Sequence, residues 1–132
     1  MNVLNGIVES VAVNGNLSLV RVRVGEIHLS SIVVDTPETV SYLQQDHPVQ
    51  VIFKETEVII GKGDDHQISL QNRMVGTIRT IETGDLLSKL TLDTTIGPIV
   101  SVITANAVRQ LELAEGMRVT AMIKTNEMML SE

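Results

Sequence analysis

The sequence predicts a mainly β protein made of two tandem, small five-stranded barrels, each with one short helix. Three observations predict this fold class. The chain repeats itself at a separation of 70 residues, its apolar residues are rich in Val and Ile, and short alternating segments are separated by glycine-bearing turns. Tyr42 and Phe53 are the only aromatic residues, so Val, Ile, Leu and Met must form the core.

The repeat is clearest in the apolar positions, which keep one register along the whole chain. Val8 corresponds to Ile78, Val20 to Leu90 and Ile52 to Met122 in this register. Several residues are identical in both copies: Asn2/Asn72, Gly6/Gly76, Ser31/Ser101, Lys54/Lys124 and Glu57/Glu127. The copies span residues 1–61 and 69–132, and the polar segment 62–68, KGDDHQI, is predicted to link them.

Each element of the second copy has its own signal. GTIRTIE and LLSKLTLD alternate apolar and polar residues, as half-buried strands do, with a turn at Thr83-Gly84-Asp85 between them. IVSVIT is a third strand. ANAVRQLEL has helical spacing with Thr104 or Asn106 as its N-cap, and RVTAMIK and EMMLS are the last strands.

The first copy follows the same order, and its helix is expected to begin at DTPET. Five strands and a helix in a segment this short are typical of an OB-like barrel. Such a small unit buries little surface alone, so we expect the two copies to pack together and to assemble with further chains.

Composition excludes several classes of function. A net charge of −6 argues against nucleic acid as a partner, and the shortage of aromatic residues removes the base-stacking platform of an oligonucleotide-binding OB domain. There is no cysteine, and three scattered histidines give no metal-ligand spacing. No nucleophile–base pair is visible, so the sequence does not predict an enzyme. The sequence has neither a long apolar segment nor a signal sequence, so we expect a cytoplasmic protein that does not insert into a membrane.

One polar interruption needs an explanation. MIKTNEMML places Lys124 in an apolar strand, and IFKETEVII repeats the feature with Lys54. A lysine at the end of a strand either protects an edge or faces a ligand, and the residues by themselves leave both readings open.

The second copy resembles the molybdenum-pterin binding (Mop, TOBE-type) family over all of residues 69–132. The resemblance rests on SLQNRMVGTIRTIE, the IVSVITANAVRQ turn into a helix, and the closing MIKTNEMML, which occur in the family's order. The first copy resembles the family more faintly, and the tandem is similar to the di-Mop arrangement. The family's start-motif arginine is Gln71 here, and a helical position that is often serine is Ala107.

The resemblance implies that a molybdate or tungstate oxyanion is bound between Mop units of a homo-oligomer, a dimer or a trimer. The oxyanion-binding residues that it implies are Ser69, Gln71, Asn72, Thr104, Ala105, Ala107, Lys124 and Thr125, with Lys54 and Thr56 as secondary candidates. Hydroxyls, amides, an ammonium and a helix N-terminus are suitable donors for a tetrahedral dianion.

The first copy is expected to be mainly structural. Asp35 and Glu38 bring negative charge to its helix start, and Glu55 stands beside Lys54. The predicted function is cytoplasmic storage or homeostasis of the oxyanion. The alternative is an oxyanion-sensing module of a transcription regulator or of a molybdate-importer ATPase, and the sequence leaves this choice open.

Overall fold

The computed structural model describes residues 1–132, with ten strands, one α-helix and two single 3₁₀ turns. None of its helices combines the length and the apolar character needed to cross a bilayer. The 3₁₀ turns cover Glu55–Glu57 and Thr125–Glu127. The other elements are β1 Asn2–Asn14, β2 Leu17–Val24, β3 Ile27–Val33, β4 Pro48–Phe53, β5 Ile59–Lys62, β6 Asn72–Thr83, β7 Leu87–Thr94, β8 Gly97–Thr104, α1 Ala105–Leu111, β9 Arg118–Ile123 and β10 Met129–Ser131.

Nearly every element of the first copy recurs 70 residues later. The correspondence extends to irregularities, because the pairing of β1 with β2 shifts register between Val8 and Ser10, and that of β6 with β7 shifts between Ile78 and Thr80. A β-bulge at the same place in both copies strengthens the local twist and lets each sheet curl. The predicted mainly β architecture of two curled, OB-like five-stranded sheets is confirmed.

The two copies exchange their last strands. One sheet has the order β10-β4-β1-β2-β3 and the other has β5-β9-β6-β7-β8. The first copy's β5 therefore pairs with the second copy's β9, and β10 pairs with β4. Residues 1–61 and 69–132 thus mark the sequence copies, while each five-stranded sheet contains four strands of one copy and one of the other.

The apolar residues form one core across both copies. A single cluster of 22 buried side chains includes Phe53 and Val58 from the first copy and Met74 and Met128 from the second. Phe53, the only phenylalanine, is fully buried. Because one short copy could bury little apolar surface by itself, this shared core explains why the repeat folds as one unit.

Two asparagine amides hold the copies together in reciprocal fashion. The Asn72 amide donates to the Ser30 carbonyl at 2.8 Å and accepts from the Ser30 N–H at 2.7 Å. The Asn2 amide makes the same pair of bonds with Val100, at 2.8 and 2.9 Å. Both asparagines are buried, and their partners are also 70 residues apart. The copies are therefore related as the halves of an isologous dimer are.

Two buried serines repeat this reciprocity. The Ser31 hydroxyl donates to the Met128 carbonyl, and the Ser101 hydroxyl donates to the Val58 carbonyl at 2.9 Å. Each bond fastens a β3-type strand of one copy to the turn that precedes the exchanged strand of the other.

The helix expected in the first copy does not form. Residues 35–46 make a series of turns, in which the N–H groups of Thr39 and Val40 both donate to the Thr36 carbonyl. The second copy has a Thr104 cap followed by Ala-Asn-Ala, whereas the first has β-branched Thr39 and Val40 directly after its first turn. β-Branched residues lose rotamer freedom in a helix, so a single turn is as far as the segment goes.

Replacing Asn72 with alanine should lower the free energy of unfolding by roughly 2–4 kcal/mol, because the N–H and C=O of Ser30 would lose their partners in a largely buried place. Asn2→Ala should cost a similar amount. Urea unfolding is the measurement, and Asn126→Ala is the matched control because that side chain is exposed. Equal stability of the Asn72 and Asn126 variants would contradict the role of the amide.

Candidate functional site

Four of the predicted binding residues come together around one depression. This cavity, of about 280 Å³, is lined by Ser69, Gln71, Lys124 and Thr125. Its apolar walls are Leu70 and, from the first copy, Leu19 and Ile32. The site therefore lies where the two copies meet, and the polar groups at its surface belong to the second copy.

The linker residues at the cavity are positioned by Arg73. Its guanidinium donates to the carbonyl of Leu70 at 2.7 Å, to that of Ile68 at 2.5 Å, and to that of His66. These three bonds fasten the backbone on both sides of Ser69. Leu70 is buried beneath them, so Ser69 and Gln71, its neighbours, are left exposed at the rim.

Lys124 and Thr125 reach the cavity because β9 ends in a 3₁₀ turn. The strand is buried from Val119 to Ile123, and the chain then turns with the Glu127 N–H donating to the Lys124 carbonyl at 3.1 Å. Lys124 is exposed at this turn, and its side chain caps nothing in the helical turn that follows. The lysine that interrupts the apolar run is therefore at the end of the strand, with its side chain at the cavity.

Two carboxyl groups, those of Glu57 and Glu127, lie near Lys124. The pKa of Glu127 is raised, first by desolvation, then by a hydrogen bond with the Glu57 carboxyl and by the negative charge of that group. The positive charge of Lys124 acts in the opposite direction. Glu57 and Glu127 are equivalent residues of the two copies, so each copy contributes one carboxyl to this contact. Neither lines the cavity, whose polar residues are hydroxyl, amide and ammonium donors.

Asn72 lies next to Gln71 but does not face a ligand. Its side chain is 1% exposed, and both ends of its amide are bound by the backbone of Ser30. We therefore leave Asn72 out of the donor set and assign it to the contact between the copies.

The predicted residues at the helix start are not at this cavity. Thr104 caps α1, where its hydroxyl oxygen accepts the Ala107 N–H at 3.0 Å. The Ala105 N–H donates to the Leu86 carbonyl at 2.8 Å, and Ala105 itself is 2% exposed. Two of the N–H groups expected to face an anion therefore already have partners. Within one chain, Thr104, Ala105 and Ala107 do not join the four residues of the cavity.

The secondary candidates Lys54 and Thr56 occupy the equivalent turn of the first copy. Both are exposed, and neither lines the cavity of Ser69 and Lys124.

Sequence reasoning missed three residues of this site. Leu19 and Ile32 form walls that only the packing of the copies brings near Ser69. Arg73 has a sequence signal, because it is the one arginine directly after the start motif SLQN, and that position is Val3 in the first copy.

Comparison with known proteins agrees with this architecture. Residues 68–130 match the TOBE domain. The chain is similar to the cytoplasmic molybdate-binding protein ModG, whose crystal structure has molybdate bound, with 27% identity and a TM-score of 0.89 over 98% of this chain and 94% of that one.

Two shorter proteins also match. A molybdate-binding protein from Sporomusa ovata is 31% identical over 51% of this chain and 100% of its own, with a TM-score of 0.49. MopII from Clostridium pasteurianum is 27% identical over 45% of this chain and 90% of its own, with a TM-score of 0.43. A search of curated proteins gave no match.

The TOBE match covers the second copy, and the likeness to ModG extends over both copies and their exchanged strands. The chain therefore belongs to the tandem Mop, TOBE-type family of proteins.

Proposed function

We propose that this protein binds molybdate or tungstate and serves in storage or homeostasis of the oxyanion in the cytoplasm. The observation that carries the proposal is the cavity at which Ser69, Gln71, Lys124 and Thr125 converge. It offers hydroxyl, amide and ammonium donors, and a tetrahedral dianion presents acceptors only. The proposed role is binding and not catalysis, in keeping with ModG, which is described as a molybdate-binding protein.

We further propose that the site is completed by a second chain in a homo-oligomer, a dimer or a trimer. The helix start with Thr104, Ala105 and Ala107 is displayed on the same chain but away from the cavity. Beside it, Leu86 and Leu87 are 81% and 54% exposed, an apolar surface suited to contact with another chain. Each sheet also has two edge strands, and association can cover the edge formed by β3 in one sheet and by β8 in the other.

Lys124→Ala should weaken molybdate binding by about 1.5–3 kcal/mol, the scale of a hydrogen bond to a charged group. Lys54→Ala is the matched control, because it removes the same charge from the equivalent turn outside this cavity, and its effect should be smaller. Isothermal titration calorimetry at neutral pH measures both. Equal losses would show that the first copy's turn contributes to binding as much as the second copy's turn does, and no loss in either variant would contradict the assignment of the site to the cavity of Lys124.

Glu127→Gln should strengthen molybdate binding up to about fivefold near neutral pH, because it removes a carboxylate charge that acts on Lys124 at an exposed site. Because the pKa of Glu127 is raised above its ordinary value of 4.5, its carboxyl group in the unmodified protein stays protonated to a higher pH than a free glutamate does. The advantage over the unmodified protein should therefore shrink as the pH is lowered toward that pKa, where the unmodified carboxyl is neutral too. Glu26→Gln, in an exposed turn, is the control. A gain of the same size at every pH would contradict this explanation.

Selectivity should follow protonation state and size. Molybdate and tungstate are fully deprotonated near neutral pH, whereas much of the phosphate carries a proton whose O–H would need an acceptor in an all-donor cavity. An unpaired O–H costs roughly 1–3 kcal/mol, or about a tenfold to hundredfold preference against phosphate. Sulfate has shorter bonds and reaches fewer donors. Competition calorimetry should give the highest and nearly equal affinities for molybdate and tungstate, a lower affinity for sulfate and the lowest for phosphate. Displacement of molybdate by equimolar phosphate would refute the all-donor site.

A further inference from the structure

The first copy contains a partial equivalent of the second-copy cavity. The shift of 70 residues that relates the copies gives a counterpart to five of the seven lining residues, whereas Ser69 and Leu70 have none within residues 1–132. Thr125 corresponds to Glu55 and Lys124 to Lys54. The other counterparts are Met1 for Gln71, Lys89 for Leu19 and Val102 for Ile32.

The counterpart is richer in positive charge than the cavity itself. Lys54 keeps the lysine of the turn, and Lys89 adds an ammonium where the second-copy cavity has the leucine wall. The register of the sheet is the same in both places, because Lys89 pairs with Val102 as Leu19 pairs with Ile32. Lys89 is only loosely held by another acid, with its Nζ 3.8 Å from the Glu82 carboxylate and both side chains more than half exposed.

The carboxylate of Glu55 lies among these positively charged groups. The Glu55 Oε2 accepts a hydrogen bond from the Met1 amino group at 2.9 Å. The pKa of Glu55 is lowered, chiefly by that hydrogen bond, then by its own backbone N–H, and also by the charges of the amino group and of Lys89. Glu55 is thus held ionised by groups of the kind that would hold an external anion.

We propose that the first copy carries a second, latent oxyanion site, which the Glu55 carboxylate closes by taking the place of the anion. The inference rests on the proposed function of the second-copy cavity and extends it to the equivalent position. A tethered carboxylate is always present at high effective concentration, so a free dianion must displace it to bind. A dianion would also be repelled by the negative charge of Glu55.

Within the 3₁₀ turn, one residue then decides whether a copy takes up an anion at this position. Thr125 offers a hydroxyl donor where Glu55 offers a carboxylate, while the lysine before each is retained. The site class is the same in both copies, a small tetrahedral dianion among donors, and position 55 determines its availability.

The test is to replace Glu55 with threonine, the residue at the equivalent position, and to count bound molybdate in the full chain by native mass spectrometry and calorimetry. The Glu55→Thr variant should bind one additional molybdate per chain. The gained site should disappear in the double variant Glu55→Thr/Lys54→Ala, while the site that depends on Lys124 is retained. Glu26→Thr, which changes the net charge equally at an exposed turn, should leave the stoichiometry unchanged.

The outcomes separate this inference from the proposed function. If the unmodified protein binds molybdate and Glu55→Thr binds no more, the latent site is refuted and the proposed function stands. If the unmodified protein binds none, the proposed function fails, and a site gained in Glu55→Thr still supports the latent site. Glu55→Gln removes the charge with little change of shape, so it should also gain the site and replaces the threonine variant if that one does not fold.

Discussion

The pairing of a buried asparagine amide from each copy with the backbone of the other is the interaction on which the rest of the structure depends. An amide that is buried must satisfy both its N–H and its C=O, and Asn72 does so with the single residue Ser30, as Asn2 does with Val100. Such a pair of bonds tolerates little displacement. It therefore fixes the distance and the register between β6 and β3, and between β1 and β8.

The exchanged strands follow from that arrangement. With the copies held face to face, the 3₁₀ turns at Glu55–Glu57 and Thr125–Glu127 direct β5 and β10 into the neighbouring sheet. The exchange buries Val58 and Met128 in the common core, and the serine bonds to these same two residues fix the crossing. One cooperative core is a consequence, because no copy can close its sheet without the other.

The two copies have the same backbone arrangement but carry different exposed side chains at equivalent positions. The same turn presents Lys124 and Thr125 at one end and Lys54 and Glu55 at the other, on backbones that follow the same course. Arg73, which anchors the linker beside Ser69, has no counterpart because Val3 takes its place. Stability requires the two halves to match in their buried residues, whereas the exposed positions are free to differ. The chemical differences between the copies are therefore concentrated at exposed positions of the turns and the linker and at Lys89 of β7.

The sequence alone determined the repeat, the β class, the strand positions and four residues of the candidate cavity, because alternation and register are local properties of the chain. It also predicted a helix at DTPET and an anion-facing Asn72. The tertiary structure differs at both places. The segment at DTPET, with β-branched Thr39 and Val40, forms only a turn, and the Asn72 amide is hydrogen-bonded to the backbone of Ser30. The exchange of strands, the walls Leu19 and Ile32, and the meeting of Glu55 with Met1 join residues distant in the chain. Only the packing of one copy on the other brings them together, and no periodicity in the sequence encodes it.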